Sequence, residues 1–374
     1  MSDRLLSTRP RRAQGSNETI SVETQRRQAA SKTVTGQTGS EIATLESSFS
    51  GKTEPPQTEL RVLAMHEALD AATLQIAREH IKRFAVKLVG ERWLTAPGSG
   101  IFGRGCMEWS ARSAAERIEP LRVELRSLSE ATGADFALLA TGRAHRVPRM
   151  VAFDMDSTLI QGEVIDELAR LAGVGEQVAA ITAAAMRGEL VFQQSFRRRV
   201  ALLRGLPESA VMSLIGQIPL MPGAQRLFAV LRSLGVRTVV LSGGFTFFGR
   251  ALQSRLGIDE LHANELDMRG GQVTGEIRGE IVDGARKAAL LGEIAAREAI
   301  ALHETAAVGD GANDLPMLRL SGLGVAFHAK PLVRASAECA ISGQGLDALL
   351  YLFGLTDEEI EQRQSQASKP PHAG

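Results

Sequence analysis

The six residues from Leu60 to Met65 are nearly all apolar, which predicts a buried strand. Asp70 then stands where an N-cap is wanted. Behind it Leu74, Ala77, Ile81 and Phe84 recur at three and four positions, the stripe of a helix. Residues 85–94 and 106–111 read as strands. A second helix opens around Pro120, carries Leu121, Leu125 and Leu128 on one face, and stops at Gly133. A last strand follows at 135–140. Beyond about residue 148 the pattern changes: short apolar strands ending at Phe153, Leu241, Val308 and Phe327 are separated by helical stretches. Residues 165–219 are helical with no strong strand, and 264–277, with Gly270-Gly271 at its centre, reads as a hairpin. Residues 1–58 are rich in Ser, Thr, Gln and Arg and hold few large apolar side chains, so they predict a disordered tail, closed by the linker Glu54-Pro55-Pro56. Residues 357–374 are polar and are expected to fray.

Two domains follow. Over 59–147 the order strand, helix, strand, strand, helix, strand is that of a small α+β ferredoxin-like domain. Over 148–356 the alternation predicts an α/β fold, a doubly wound and mostly parallel sheet, with a helical cap (about 165–219) inserted after the first strand. In such sheets ligands bind beyond the carboxyl ends of the strands. Composition adds exclusions. With 43 basic and 43 acidic residues the net charge is zero, so no general field attracts nucleic acid or an anionic membrane. No run of about 18 apolar residues predicts a membrane span. The N-terminus lacks an apolar signal core, and the two cysteines, Cys106 and Cys339, are too far apart for a metal pattern. A reducing, cytoplasmic setting is the expectation. Gly98-Ser99-Gly100-Ile101-Phe102-Gly103 matches a dinucleotide fingerprint, but the next segment alternates like a strand, so a hairpin loop is expected instead.

The polar clusters all come just after strands or at a helix start: Asp154-Met155-Asp156-Ser157-Thr158, Ser242-Gly243-Gly244, Lys287, and Gly309-Asp310-Gly311-Ala312-Asn313-Asp314. Asp154 and Asp156, two apart at a strand end, can point to one side. One carboxylate can act as a covalent nucleophile and another as a proton donor and acceptor. A carboxylate about 4 Å from a phosphate oxygen is repelled by roughly 4 kcal/mol per unit charge at an effective dielectric of about 20, so such a site needs positive charge. Magnesium takes carboxylate and phosphate oxygens together, and Asp310 offers it a further carboxylate. Lys287 supplies another positive charge, while Ser242, the Gly243 N–H and Asn313 offer hydrogen bonds to a phosphate. Each cluster alone also fits a turn, a loop or a solvated surface residue; their joint, ordered occurrence favours chemistry.

Asp154-x-Asp156-x-Thr158, Ser242, Lys287 and Gly309-Asp310-Gly311-x-x-Asp314 together resemble the haloacid dehalogenase superfamily of phosphatases. FDMDSTLI, MRGEL followed by Phe192, SGGFTFF, ANEL, VGDGANDLPML and HAKP are similar to the phosphoserine phosphatases within it, over about residues 148–350. That resemblance implies magnesium-dependent hydrolysis of O-phospho-L-serine, the last step of serine biosynthesis. It implies Asp154 as nucleophile and Asp156 as general acid/base. The metal would sit on Asp154, Asp310 and the backbone carbonyl of Asp156, with Asp314 supporting that shell. Ser242, Gly243, Lys287 and Asn313 would hold the phosphate. Glu163 and Arg199 match the family's substrate contacts, and Met186 and Phe192 its apolar lid. The chemistry agrees: phosphoserine also carries an ammonium, which wants an acid, and a carboxylate, which suits an arginine fork. The element order over 59–147 resembles a single ACT domain, an amino-acid-sensing module, which implies a homodimer. A phosphotransferase on the same scaffold, and an amino-acid-responsive regulatory protein, remain alternatives.

Overall fold

A computed structural model of the chain describes residues 57–84, 87–98, 104–140 and 147–367. The expected N-terminal tail lies outside these residues, apart from Gln57 and Thr58, and so do residues 99–103 of the glycine-rich loop.

The ferredoxin-like part runs β1 (Gln57–His66), α1 (Ala71–Arg83), β2 (Lys87–Thr95), β3 (Gly105–Ala114), α2 (Ile118–Thr132) and β4 (Asp135–Ala140), with sheet order β2-β3-β1-β4. Asp70 caps α1 by accepting the Thr73 N–H at 2.7 Å, and Gly133, at φ 74°, ends α2. Strand β1 is apolar without alternation because both its faces are covered. Leu60, Val62 and Ala64 pack on Ala77, Ile81, Leu121 and Leu125, whereas Leu63 and Met65 join the core of the following domain. The glycine-rich loop leads into the strand β3, so no helix N-terminus follows it to receive a pyrophosphate.

The second part begins with β5 (Met150–Phe153), followed by α3 (Val164–Leu171), α4 (Gly175–Met186), α5 (Phe192–Ala201) and α6 (Glu208–Ser213), which make the cap. Then come α7 (Ala224–Ser233), β6 (Arg237–Phe245), α8 (Thr246–Leu256), β7 (Glu260–Arg269), β8 (Gln272–Arg278), α9 (Gly284–Arg297) and β9 (Thr305–Gly309). The chain finishes with α10 (Leu315–Leu320), β10 (Leu323–Phe327), α11 (Pro331–Ser336), β11 (Cys339–Ile341), α12 (Leu349–Leu352) and α13 (Asp357–Ala367). The sheet order is β11-β10-β9-β5-β6-β7-β8, parallel except for β8. Alternate residues of β5 feed opposite cores: Met150 and Ala152 face α9 and α10, while Val151 and Phe153 face the layer of α7. β5 is therefore central, and the carboxyl ends of β5, β6 and β9 lie side by side under the cap.

Two expectations need correction. Strand β6 does not stop at Leu241 but continues to Phe245 after a register break, so Ser242-Gly243-Gly244 belongs to its last turn of chain rather than to a loop. The hairpin expected over 264–277 is present, formed by β7 and β8. β7 pairs with β6, and β8 braces the cap through Gly205 N–H to Val273 O (2.8 Å) and Val273 N–H to Leu206 O (2.9 Å). The C-terminal stretch does not fray at 357. Thr356 and Glu359 cap α13 reciprocally, at 2.8 and 3.3 Å, and Ile360 is buried in the main core.

The two domains are joined by buried polar contacts as well as by the shared core. Both Asp135 carboxylate oxygens accept backbone N–H groups, from Ser342 at 2.8 Å and Gly343 at 2.9 Å. Arg61, paired with the buried Glu108, donates to the carbonyls of Leu352 and Tyr351. Among the described residues no helix is long and apolar enough to cross a membrane.

Candidate active site

The Asp154 N–H bonds to Val308 O at 2.9 Å, extending the β5–β9 ladder by one residue and fixing where the carboxylate emerges. The chain then turns tightly. The N–H groups of Thr158, Leu159 and Ile160 all converge on the Met155 carbonyl, and Ser157 sits at φ 57°. That turn needs a residue in the left-handed region, which a short polar side chain tolerates better than a bulky one. Asp154 Oδ1 accepts the Met155 N–H at 2.7 Å, and Asp156 Oδ1 accepts the Val164 N–H at the start of α3 at 3.4 Å.

Strand β6 delivers Ser242 and two glycines beside this turn. A Cβ on Gly244 would lie 2.6 Å from Asp156 Oδ2 and 2.5 Å from Met155 Cε, so any side chain there would displace the Asp156 carboxyl or the Met155 methyl. Asn264, wholly buried on β7, holds the glycine pair in place: its Nδ2 donates to Gly243 O at 2.8 Å and its Oδ1 accepts the Val282 N–H at 2.9 Å. Asn264 lies in the ANEL segment, and no role for it is legible from the sequence. A polar residue inside an apolar strand was the available signal.

Lys287 is fully buried in the first turn of α9, a helix capped by Asp283. Its Nζ lies 2.9 Å from Asp154 Oδ1 and 2.7 Å from Asp314 Oδ1. Asp314 also accepts the Gly311 N–H at 2.9 Å through Oδ2, so both its oxygens are engaged. Asp310 accepts the Thr158 hydroxyl at 3.2 Å. Burial alone would lower the Lys287 pKa, but the carboxylates of Asp154 and Asp314 outweigh it and hold the ammonium protonated. The acids pay the opposite way. Burial, and then the charge of Asp154, push Asp310 up to about 8 and Asp314 up to about 7. Burial, then Glu163 and Asp154, carry Asp156 well above the usual carboxylate range.

This excess of acid suits a hard cation. One carboxylate oxygen each of Asp154, Asp310 and Asp314 fall within 4.8 Å of one another. The cluster thus contains the carboxylate of Asp314, and the side chain of Asp156 is outside it. Asp314 is already doubly bonded, whereas Asp154 and Asp310 each keep an oxygen without a partner among the described residues; oxygen ligands of this kind fit a divalent metal. A test follows from the raised acids. Carboxyls that hold protons more tightly folded than unfolded stabilise the protein at low pH, and that stability is lost as pH rises through their folded values. The melting temperature in EDTA should fall by several degrees between about pH 5 and about pH 8, the window set by Asp314 and Asp310. Saturating magnesium should flatten that slope. An equally steep slope with magnesium would show that the acids do not bind it.

One cavity of about 660 Å³ collects the expected residues. Asp154, Asp156, Ser242, Gly243, Asp310 and Asn313 line it from the sheet side; Glu163, Met186, Phe192 and Arg199 line it from the cap. Lys287 lies beneath the lining. The Phe192 ring stands over Gly243, where an added Cβ would come within 3.1 Å of it, and Met186 is 66% exposed. Glu163 accepts the Ser157 hydroxyl at 3.1 Å, and burial, then Asp154, raise its pKa. Burial lowers that of Arg199, against the pull of Glu163 and Asp166. The cavity also reaches Asp166, Ser195 and Lys330, which sequence reasoning had not singled out.

Residues 151–319 match the profile of the haloacid dehalogenase-like hydrolases. The chain is 51% identical over 243 residues to a phosphoserine phosphatase of Streptomyces coelicolor, covering 65% of this chain and 59% of that protein, less than two thirds of its length. It is 41% identical over 250 residues to a phosphoserine phosphatase of Vibrio cholerae, covering 67% of this chain and 76% of the relative. The crystal structure of a probable phosphoserine phosphatase from Vibrio cholerae, in unliganded form, superposes with a TM-score of 0.63 at 33% identity, covering 82% of this chain and 88% of that one.

Proposed function

The chain belongs to the haloacid dehalogenase-like hydrolases, and from that membership we propose that it hydrolyses O-phospho-L-serine to L-serine and phosphate through a phosphorylated Asp154, with magnesium as cofactor. The observation that carries the reading is the composition of one cavity: a carboxylate pair at its floor, Asp154 and Asp156, and an acid and a guanidinium on its cap, Glu163 and Arg199. Those are the complements of a phosphate, an ammonium and a carboxylate on one small molecule.

The ammonium meets Glu163 and the carboxylate meets Arg199, while Met186 and Phe192 cover the substrate's carbon atoms. Ser242, the Gly243 N–H, Lys287 and Asn313 take the phosphoryl oxygens. An oxygen of Asp154 attacks phosphorus as the bond to the serine oxygen breaks, and the carboxyl of Asp156 gives that oxygen a proton. Its raised pKa is what keeps that proton available. In the second half the Asp156 carboxylate takes a proton from water, the water oxygen bonds to phosphorus, and Asp154 leaves. Asp154, Asp310 and the Asp156 carbonyl would hold a magnesium ion, which when bound would supply the positive charge that lets a carboxylate approach a phosphate. Asp314 keeps Lys287 aimed at Asp154.

Two wider proposals accompany this one. The buried free thiols Cys106 and Cys339 suit a reducing, cytoplasmic setting. The outer edge of β2 in the ferredoxin-like sheet offers a homodimer its pairing surface. The principal test is phosphate release by the purified protein from O-phospho-L-serine beside p-nitrophenyl phosphate, with magnesium and with EDTA. The expected result is a preference for phosphoserine of about a hundredfold or more in kcat/KM, abolished by EDTA. Preference for the aryl phosphate would overturn the substrate, and full activity in EDTA would overturn the metal.

A further inference from the structure

Helix α5 carries a hydroxyl that the scheme above leaves unused. Ser195 is 1% exposed, borders the active-site cavity, and its Oγ is buried with no hydrogen-bond partner. Its own helix offers an easy one, since a helical serine or threonine can donate to the carbonyl four residues back. Ser127, Ser129, Thr132, Thr182 and Ser336 all do so in this chain, at 2.7 to 3.3 Å. The Val191 carbonyl stands in that position for Ser195, accepting its backbone N–H at 3.1 Å, yet the side chain does not use it. A buried hydroxyl held away from an available acceptor and bordering a ligand cavity is disposed to serve what binds there.

We propose that Ser195 is a specificity-determining residue that donates its Oγ–H to the substrate's α-carboxylate, completing with Arg199 a clamp for that group. The proposal rests on the reading of phosphoserine as substrate. Arg199 lies four positions further along α5, on the same face of the helix. Its Nε is likewise buried without a hydrogen-bond partner. A carboxylate has about four lone-pair sites, so a guanidinium fork leaves room for a hydroxyl. Glu163, which faces the ammonium, already takes the Ser157 hydroxyl. The competing explanation is that α5 needs a small side chain between Phe192 and Phe196, which stack at 5.8 Å. Alanine would meet that need equally well.

The test compares Ser195→Ala with the wild type on O-phospho-L-serine, on O-phosphoethanolamine, which lacks the carboxylate, and on p-nitrophenyl phosphate. Arg199→Ala is the control for loss of carboxylate recognition. Ser195→Ala should raise KM for phosphoserine about tenfold with kcat within about twofold, leave both other substrates within about twofold, and melt with the wild type. An unchanged KM for phosphoserine, or equal losses on all three substrates, overturns the proposal while the wild type's preference for phosphoserine leaves the substrate reading standing. A wild type that does not favour phosphoserine over phosphoethanolamine overturns that reading and this proposal with it.

Discussion

Asp154→Asn is expected to abolish phosphate release from phosphoserine, by about 10⁴-fold or more, without unfolding the protein. The amide has no anionic oxygen to attack phosphorus. The architecture, by contrast, survives the change. Asn retains an oxygen that can accept the Met155 N–H, so the turn after β5 keeps its bond. Lys287 retains Asp314 at 2.7 Å. Removing one negative charge also relieves Asp310 and Asp314, both of which Asp154 pushes upward. The variant should therefore melt at or above the wild-type temperature in EDTA, and bind magnesium less tightly. Acid-quenched wild type incubated with substrate should carry the added mass of one phosphoryl group on the peptide containing Asp154, and the variant none. Retention of more than about a hundredth of wild-type turnover would mean that another group attacks.

The parts of the fold that were legible in the sequence are those whose physics is local. β5 shows as an apolar run because both of its faces are covered, and the acids that follow it, which alone would also fit a turn, show because three further polar clusters recur in order after later strands or at a helix start. Asp70 and Gly133 announce the two ends of helices by cap chemistry alone. What escaped depends on residues distant in the chain. Asn264 matters because it bridges Gly243 and Val282, and nothing within its own strand says so. Asp135 reads as a strand-starting acid and turns out to tie the two domains through the N–H groups of Ser342 and Gly343. The continuation of β6 through Gly243 and Gly244 runs against the low strand preference of glycine, and is won by the need for a bare backbone beside Asp156. Helix α13 was overlooked although Thr356-Asp357-Glu358-Glu359 spells a capping box, because its polar composition outweighed its one buried anchor, Ile360.

Lys287→Met is expected to damage stability and catalysis together, and the pH dependence separates the causes. The lysine is 0% exposed and its ammonium bridges two carboxylates, at 2.9 Å to Asp154 and 2.7 Å to Asp314. Methionine fills much of the same volume but removes the charge, leaving two buried acids facing one another. Breaking a buried ion pair from one side costs about 3–5 kcal/mol, which lowers the melting temperature by roughly 10 °C. The loss should be greatest near pH 8 in EDTA and shrink toward pH 6. Asp314, about 7 even beside the lysine, rises further without it, and once protonated it no longer needs a cation. Phosphate release should fall about 10³-fold, since the charge facing the phosphoryl oxygens is gone. Lys287→Met combined with Asp314→Asn should recover most of the melting temperature and none of the activity, because the second change removes the orphaned charge but supplies no cation to the phosphate. A single variant equally destabilised at both pH values would assign the loss to packing, and a double variant that regained turnover would remove Lys287 from the chemistry.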